Sequence, residues 1–486
     1  GQVVKSGDDV LTLSGANSYS GGTLISDGTL VASNVEALGS GDVTDNATLE
    51  LNTGGTFDNA ISGSGQVEKS GDGTLTLSGS NTYTGGTTIN DGTLIATSVD
   101  ALGSGDVTDN ATLALNTGGT FDNTISGSGK VEKSGDDALT LSGANSYTGG
   151  TLISGGTLIA SNVEALGTGD VTDNATLELN TGGTFDNAIS GSGQVVKSGD
   201  KMLTLSGANS YSGGTLISDG TLVASNVDAL GSGDVTDNAT LELNTGGTFD
   251  NAIGGSGNVV KSGADTLTLS GSNSYTGGTT ISGGTLVASN VEALGTGDVT
   301  NNATLELNTG GDFINNIGGT GRVEKSGDDT LTLSGSNTYT GGTLINGGTL
   351  VASNVEALGT GDVTNNATLE LNTSGDFTNN IGGTGRVEKS GDDTLALSGS
   401  NTYTGGTLIS GGTLVASNVE ALGTGDVTDN ATLELNTGGT FDNAISGSGK
   451  VEKSGDDTLT FSGSNTYTGG TTINDGTLVA TSVDAL

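Results

Sequence analysis

Residues 65–86 read GQVEKSGDGTLTLSGSNTYTGG, and the same pattern stands at residue 1 as GQVVKSGDDVLTLSGANSYSGG. It returns at 129, 193, 257, 321, 385 and 449 without insertion or deletion, so the chain is a tandem array with a 64-residue period. The lysine of each KSG marks the register: Lys5, Lys69, Lys133, Lys197, Lys261, Lys325, Lys389 and Lys453. A fixed period overrules any domain count taken from the length of 486 residues, because each unit buries its apolar face only against its neighbours. The expected organisation is one continuous domain over 1–486, with units 1–64, 65–128, 129–192, 193–256, 257–320, 321–384, 385–448 and a partial 449–486.

The unit 65–128 holds a weaker internal repetition, in segments of 22, 19 and 23 residues. Each opens on a short strand around one β-branched residue (Val67, Ile89, Val107). An alternating strand follows (Leu75 and Leu77, Leu94 and Ala96, Leu113 and Leu115), and the segment closes on a bulky or apolar residue (Tyr83, Val99, Phe121). Period-2 alternation bounded by Gly, Ser, Asn and Asp indicates strands and turns. The segments VEALG and VDALG are too short for more than one helical turn.

Strands arranged in coils of roughly 21 residues predict an all-β fold, a parallel β-helix (β-solenoid) with about three coils per 64-residue repeat. Stacked coils at about 4.8 Å bury Leu on Leu and pair the backbone of each coil with the next, and the whole array would be a rod on the order of 110 Å long. One predicted inward column is Val67, Ile89 and Val107; another is Leu11, Leu30, Leu49, Leu75, Leu94 and Leu113. Right-handed winding follows from the general preference for right-handed parallel crossovers. Thr29, Thr48, Thr74, Thr93 and Thr112 fall outward, just before those leucines. The next outward column mixes Thr76, Ile95 and Ala114 in one unit with Thr12, Val31 and Glu50 in another, which breaks the flat Thr-X-Thr array of an ice-binding face.

Composition agrees with this pattern and excludes several classes. There are 90 Gly and no Pro, Cys, His or Trp. Proline lacks the N–H that a ladder needs, and the glycines follow no G-X-Y period, which removes collagen. With 55 acids against 13 bases the formal charge is −42, so nucleic acid is not an expected partner. The same acidity would suit an unfolded chain; the strand pattern argues against that reading. Without His or Cys, the usual nucleophile–base pairs, disulfides and thiolate or imidazole metal sites cannot form. No stretch approaches the ~18 apolar residues of a membrane helix. The chain starts at Gly1 in mid-pattern and stops at Leu486 in mid-repeat, as a fragment would.

The stretch KSGDGTLTLSGSNTYTGGTTINDGTLIA (69–96) closely resembles the strand repeat in passenger domains of bacterial AIDA-like autotransporters, the type V secretion adhesins. The shared pattern is Gly-x-Leu-x-Leu-x-Gly, then Asn-x-Tyr-x-Gly-Gly-Thr-x-Ile, then Gly-Thr-Leu. Apart from the leading glycine, which only Gly73 supplies, and Phe461 in place of the second leucine, it recurs in all eight copies and covers nearly half of each unit; the remainder is similar to the intervening coils of the same passengers. The resemblance implies a right-handed β-helix outside the bacterial cell, attached to the outer membrane by a C-terminal β-barrel beyond this segment. It also implies a role in adhesion, aggregation or biofilm formation.

Other motifs fail on inspection. GSGKVEKSG (127–135) lacks the glycine before the phosphate-loop lysine, where Glu132 stands, and no helix follows. Asp8-Asp9, Asp42 and Asp45 match no calcium loop and read as solvated charged turns. Asn46-Ala47-Thr48 fits the glycosylation sequon by accident. Lys201-Met202 is the clearest departure from the repeat and reads as drift. The sequence thus predicts no catalytic, cofactor-binding or metal residue and no cofactor, and it singles out no partner-binding residue. Three functions compete: an adhesive stalk, a mechanical spacer without a ligand, and a polysaccharide-acting enzyme, whose singular acidic cluster is not seen. Expected partners are a second copy of the chain, in a salt- or divalent-dependent way, or glycans and proteins of a host surface; the membrane enters only through the barrel.

Overall fold

The computed structural model describes residues 1–486 and contains no helix; its regular elements are strands of two to five residues. The chain divides into two compact units, residues 1–242 and 243–486. In the first, an eight-stranded parallel sheet runs through Gly55–Phe57, Thr74–Leu77, Thr93–Ala96, Thr112–Leu115, Lys130–Lys133, Thr151–Ile153, Val171–Asp173 and Ile189–Ser190. Leu75 pairs with Leu94, Leu94 with Leu113, Leu113 with Val131, Val131 with Thr151, Thr151 with Val171 and Val171 with Ile189. These side chains share one inward column and are buried. The fold is therefore a parallel β-solenoid.

Beyond Ile189 the same face continues through two crossings that are turns. The Ile189 N–H donates to Asn209 Oδ1 at 2.8 Å, and Asn209 Nδ2 donates to the Ala229 carbonyl at 2.6 Å. From Gly55 to Ala229, nine steps of the coil cover 174 residues, about 19 per coil. A 64-residue repeat is thus three coils and about a third. The pairing displays that extra third directly. In repeat 65–128 the strands Gln66–Lys69, Thr87–Ile89, Val107–Asp109 and Ile125–Ser126 lie in one sheet, and Thr74–Leu77, Thr93–Ala96 and Thr112–Leu115 lie in the next. In repeat 129–192 the first set (Lys130–Lys133, Thr151–Ile153, Val171–Asp173, Ile189–Ser190) has moved into the sheet that holds Thr74–Leu77. Each repeat is turned by one face relative to the last. Residues 243–486 repeat the plan, with eight-stranded sheets from Gly247–Phe249 to Ile381–Gly382 and from Gly311–Phe313 to Ile445–Ser446.

Two predicted columns need correction. Val67 pairs with Thr87, and Thr87 with Val107; Ile89 lies instead between Lys69 and Asp109. The column Leu11, Leu30, Leu49 passes to Val67, whereas Leu75 belongs to a different sheet, beside Gly55. The first error is a shift of two residues, which keeps every side chain on its predicted face and so leaves the alternation undisturbed. The second comes from the extra third of a coil.

The inward and outward assignment holds at most positions; Val31 and Ala114, expected outward, are buried at 8% exposure, and Leu11, expected inward, is 40% exposed. Leu75, Leu94 and Leu113 are fully buried, while Thr74, Thr93 and Thr112 pair along the outside until Lys130 replaces them. The VDALG segment forms a turn, closed by the Ala101 N–H on the Ser98 carbonyl and the Gly103 N–H on the Asp100 carbonyl, both at 3.2 Å. Gly103 has φ +62°, and a Cβ there would stand 2.3 Å from the Tyr83 carbonyl oxygen, so the turn ends on glycine for two reasons.

Candidate functional surface

Where strands lapse, side-chain amides replace the ladder. Asn145 accepts the Ile125 N–H at 2.7 Å and donates to the Ala165 carbonyl at 2.6 Å, joining the coil before it to the coil after it. Asn187 donates to the carbonyls of Gly167 and Gly169 at 3.1 and 2.7 Å. Tyr147 is buried beneath this turn, its hydroxyl 2.6 Å from Thr151 Oγ1, and burial raises its pKa.

The interior also carries charge that the sequence did not reveal. The KSG lysines, used above only as register marks, point inward. Lys69 is fully buried and its ammonium donates to the carbonyls of Ser70, Gly71 and Asp91 at 3.0, 2.5 and 3.1 Å. Burial lowers its pKa, against the attraction of Asp91 and Asp72. Asp8, Asp9 and Asp42 are exposed, as solvated turns should be, but Asp45 is not a turn residue: it ends the Val43–Asp45 strand and is fully buried. Burial pushes its carboxyl up to about 6, opposed by N–H donors from Ala47 and Leu49. The signal for both was present in the alternation, since Lys69 and Asp109 sit two residues from Val67 and Val107 and must share their face.

The outer surface is repetitive. Beside the VEALG turn lies a shallow groove of about 450 Å³, where half-buried Val163 sits with Glu164, Thr184 and Asp186. It recurs around Val35, Glu36, Thr56 and Asp58, and around Val419, Glu420, Thr440 and Asp442. Four outward ion pairs, Lys130–Glu132, Arg322–Glu324, Arg386–Glu388 and Lys450–Glu452, join residues two apart on one strand. Such exposed pairs contribute little to stability. In three other copies Gln2, Gln194 and Asn258 are each followed two residues on by valine (Val4, Val196, Val260) rather than glutamate. Lys201 and Met202 are both exposed. The rejected phosphate-loop match falls on the Lys130–Lys133 strand, and no group of three or more acidic side chains is placed to hold a metal ion.

Fold and surface together define a tandem-repeat β-solenoid in which most chemical features recur from unit to unit. Residues 3–32, 67–96, 131–160, 195–224, 259–288, 323–352, 387–416 and 451–480 each match the family described as Passenger-associated-transport-repeat. Over 98% of its length the chain is 32% identical to the Adhesin BmaC autotransporter of Brucella suis biovar 1 (strain 1330), of which the match covers 16%. Over 35% of its length it is 34% identical to the Uncharacterized lipoprotein YdeK of Escherichia coli (strain K12), of which the match covers 14%. No solved structure matches it. The chain belongs to the passenger domains of autotransporters. Membership implies a secreted, cell-surface or outer-membrane-associated protein.

Proposed function

We propose that residues 1–486 are a passenger segment of a bacterial surface adhesin, held at the outer membrane by a barrel elsewhere in the protein, which mediates or presents adhesion, autoaggregation or biofilm contacts. The observation that carries this reading is the similarity along 98% of the chain to an autotransporter adhesin. The recurrent groove supports adhesion by many weak contacts, in which avidity replaces affinity. A non-enzymatic role fits a surface without a singular coil. The near identity of the units favours a second reading, a mechanical spacer that carries a binding tip without a ligand of its own.

Displaying the chain on a non-adherent bacterium behind a foreign barrel separates the two. Adhesion predicts increased attachment to host cells, glycan-coated surfaces or neighbouring bacteria; full display without attachment or clumping leaves the spacer. If the partner is a second copy, the net charge of −42 makes association stronger as salt rises or divalent cations are added, since screening shortens from roughly 30 Å at 0.01 M to about 8 Å at physiological ionic strength. The repeat rotation would set the register of such pairing. Equivalent patches return to one face only after three repeats, or ten coils, about 48 Å at the strand spacing, and not after every repeat.

A further inference from the structure

In the first seven repeats each KSG lysine is followed in its inward column by an isoleucine and then by an acid or its amide. Lys5, Ile25 and Asp45 stack in register, as do Lys69, Ile89 and Asp109, whereas Lys261 and Lys325 lead through Ile281 and Ile345 to Asn301 and Asn365. The aspartates at 45, 109, 173, 237 and 429 and the two asparagines are all fully buried. In both kinds Oδ1 accepts the backbone N–H two residues on, at 3.0 Å for Asp45 and Asp109 and 3.1 Å for Asn301. The other atom separates them. Asn301 Nδ2 donates to the Arg322 carbonyl and Asn365 Nδ2 to the Arg386 carbonyl, both at 2.9 Å. In the five aspartates the matching atom, Oδ2, is buried without a partner.

An ionised carboxylate only accepts hydrogen bonds, and so does a carbonyl. Two acceptors facing each other out of water would be costly. There is also little room for a bridging water: a Cβ on Gly65 or Gly129 would stand 2.4 Å from the carboxyl carbon of Asp45 or Asp109. We propose that Asp45, Asp109, Asp173, Asp237 and Asp429 are proton-binding sites, each carrying a proton on Oδ2 where Asn301 and Asn365 carry an amide N–H. For Asp45, Asp109, Asp173 and Asp429 the equivalent acceptor is the carbonyl of Gln66, Lys130, Gln194 and Lys450, 21 residues on, as Arg322 is from Asn301.

The neighbouring charges do not replace the proton. Lys69 shares Asp109's column but lies beyond Ile89, with its ammonium on turn carbonyls. Lys5, Lys133, Lys197 and Lys389 stand in the same relation to Asp45, Asp173, Asp237 and Asp429. The phenols of Tyr83, Tyr147 and Tyr211 lie within electrostatic reach of Asp45, Asp109 and Asp173 but are bonded to threonine hydroxyls. Burial is the main cause that raises all five carboxyls from 3.8 to about 6. A folded pKa above the unfolded one stabilises the fold fully below pH 3.8, and that contribution is lost as pH rises through about 6. The Asp-bearing repeats are then tightened by acid, while those with Asn301 and Asn365 do not respond.

The test is denaturant unfolding of the full chain at about pH 4.5 and about pH 8, beside a variant with all five aspartates changed to asparagine. The wild-type midpoint should fall at the higher pH; the variant midpoint should move less and exceed wild type there. An identical pH dependence in both proteins would overturn the proposal. Infrared spectra of the folded wild type give a second reading that does not need the variant to fold. At about pH 5.5, where solvated carboxyls are mostly ionised, a protonated-acid carbonyl band should persist, and its absence would equally refute the assignment.

Discussion

Along one face of this solenoid eight crossings are strands and two are turns, and the two kinds are held to their neighbours by different means. At the strand crossings the backbone ladder is regular and the inward column is apolar, as in Leu75, Leu94 and Leu113. At the turn crossings the backbone has left the extended conformation, and Asn145 serves as a substitute peptide, accepting from Ile125 on one side and donating to Ala165 on the other. Stacking therefore depends on pairing the polar backbone groups of successive coils, and strand structure is one of two ways of doing so. The asparagine of the NxY motif is the second way, which explains its return at 81, 145, 209, 273, 337, 401 and 465.

Substitutions at the two kinds of crossing should differ in size and reach. The largest effect is expected for Leu113→Ala, a loss of about 2–5 kcal/mol in denaturant melts. Because repeat arrays interact mainly with nearest neighbours, faster hydrogen exchange should stay within the adjoining coils. An unchanged melt would end the view that the strand crossings rest on their apolar columns. Asn145→Ala should cost about 1–3 kcal/mol, by leaving the Ile125 N–H and the Ala165 carbonyl unpaired. Asn145→Asp sharpens the point, since it keeps the acceptor and loses the donor; Ile125 should then remain protected from exchange. Tyr147→Phe removes one hydroxyl bond to Thr151 and should cost about 0.5–1.5 kcal/mol. The smallest effect belongs to Thr112→Ala on the outer face, within about 0.5 kcal/mol. Equal losses at Thr112 and Leu113 would contradict the inward and outward assignment.

The turn crossings were harder to read than the strands. Tyr83 and Asn81 were visible as repeated residues, but nothing local distinguishes an asparagine that bridges two coils from one that caps a turn. Val99, expected as a closing apolar residue, is only half-buried, beside a turn rather than within the core. The grooves beside Val35, Val163 and Val419 exist only because the VEALG turn is set against the strand of the following coil. The buried aspartate was read as solvated, and the buried lysine was not read as inward, for another reason. Charge suggests solvent by default, and only the parity of Lys69 with Val67 and of Asp45 with Val43 points inward.

The sequence by itself determined the 64-residue period, the face of most strand residues and hence a stacked all-β array. These follow from local alternation, a property of two or three neighbouring residues. Tertiary structure alone decided which residues share a column, and that each repeat is turned by one face. Those outcomes depend on how many residues the turns consume per coil, set by the requirement that Asn145, the turn glycines and the strands all meet partners about 19 residues away. A coil of about 19 residues does not divide 64 into whole turns, so units alike in sequence cannot lie directly above one another.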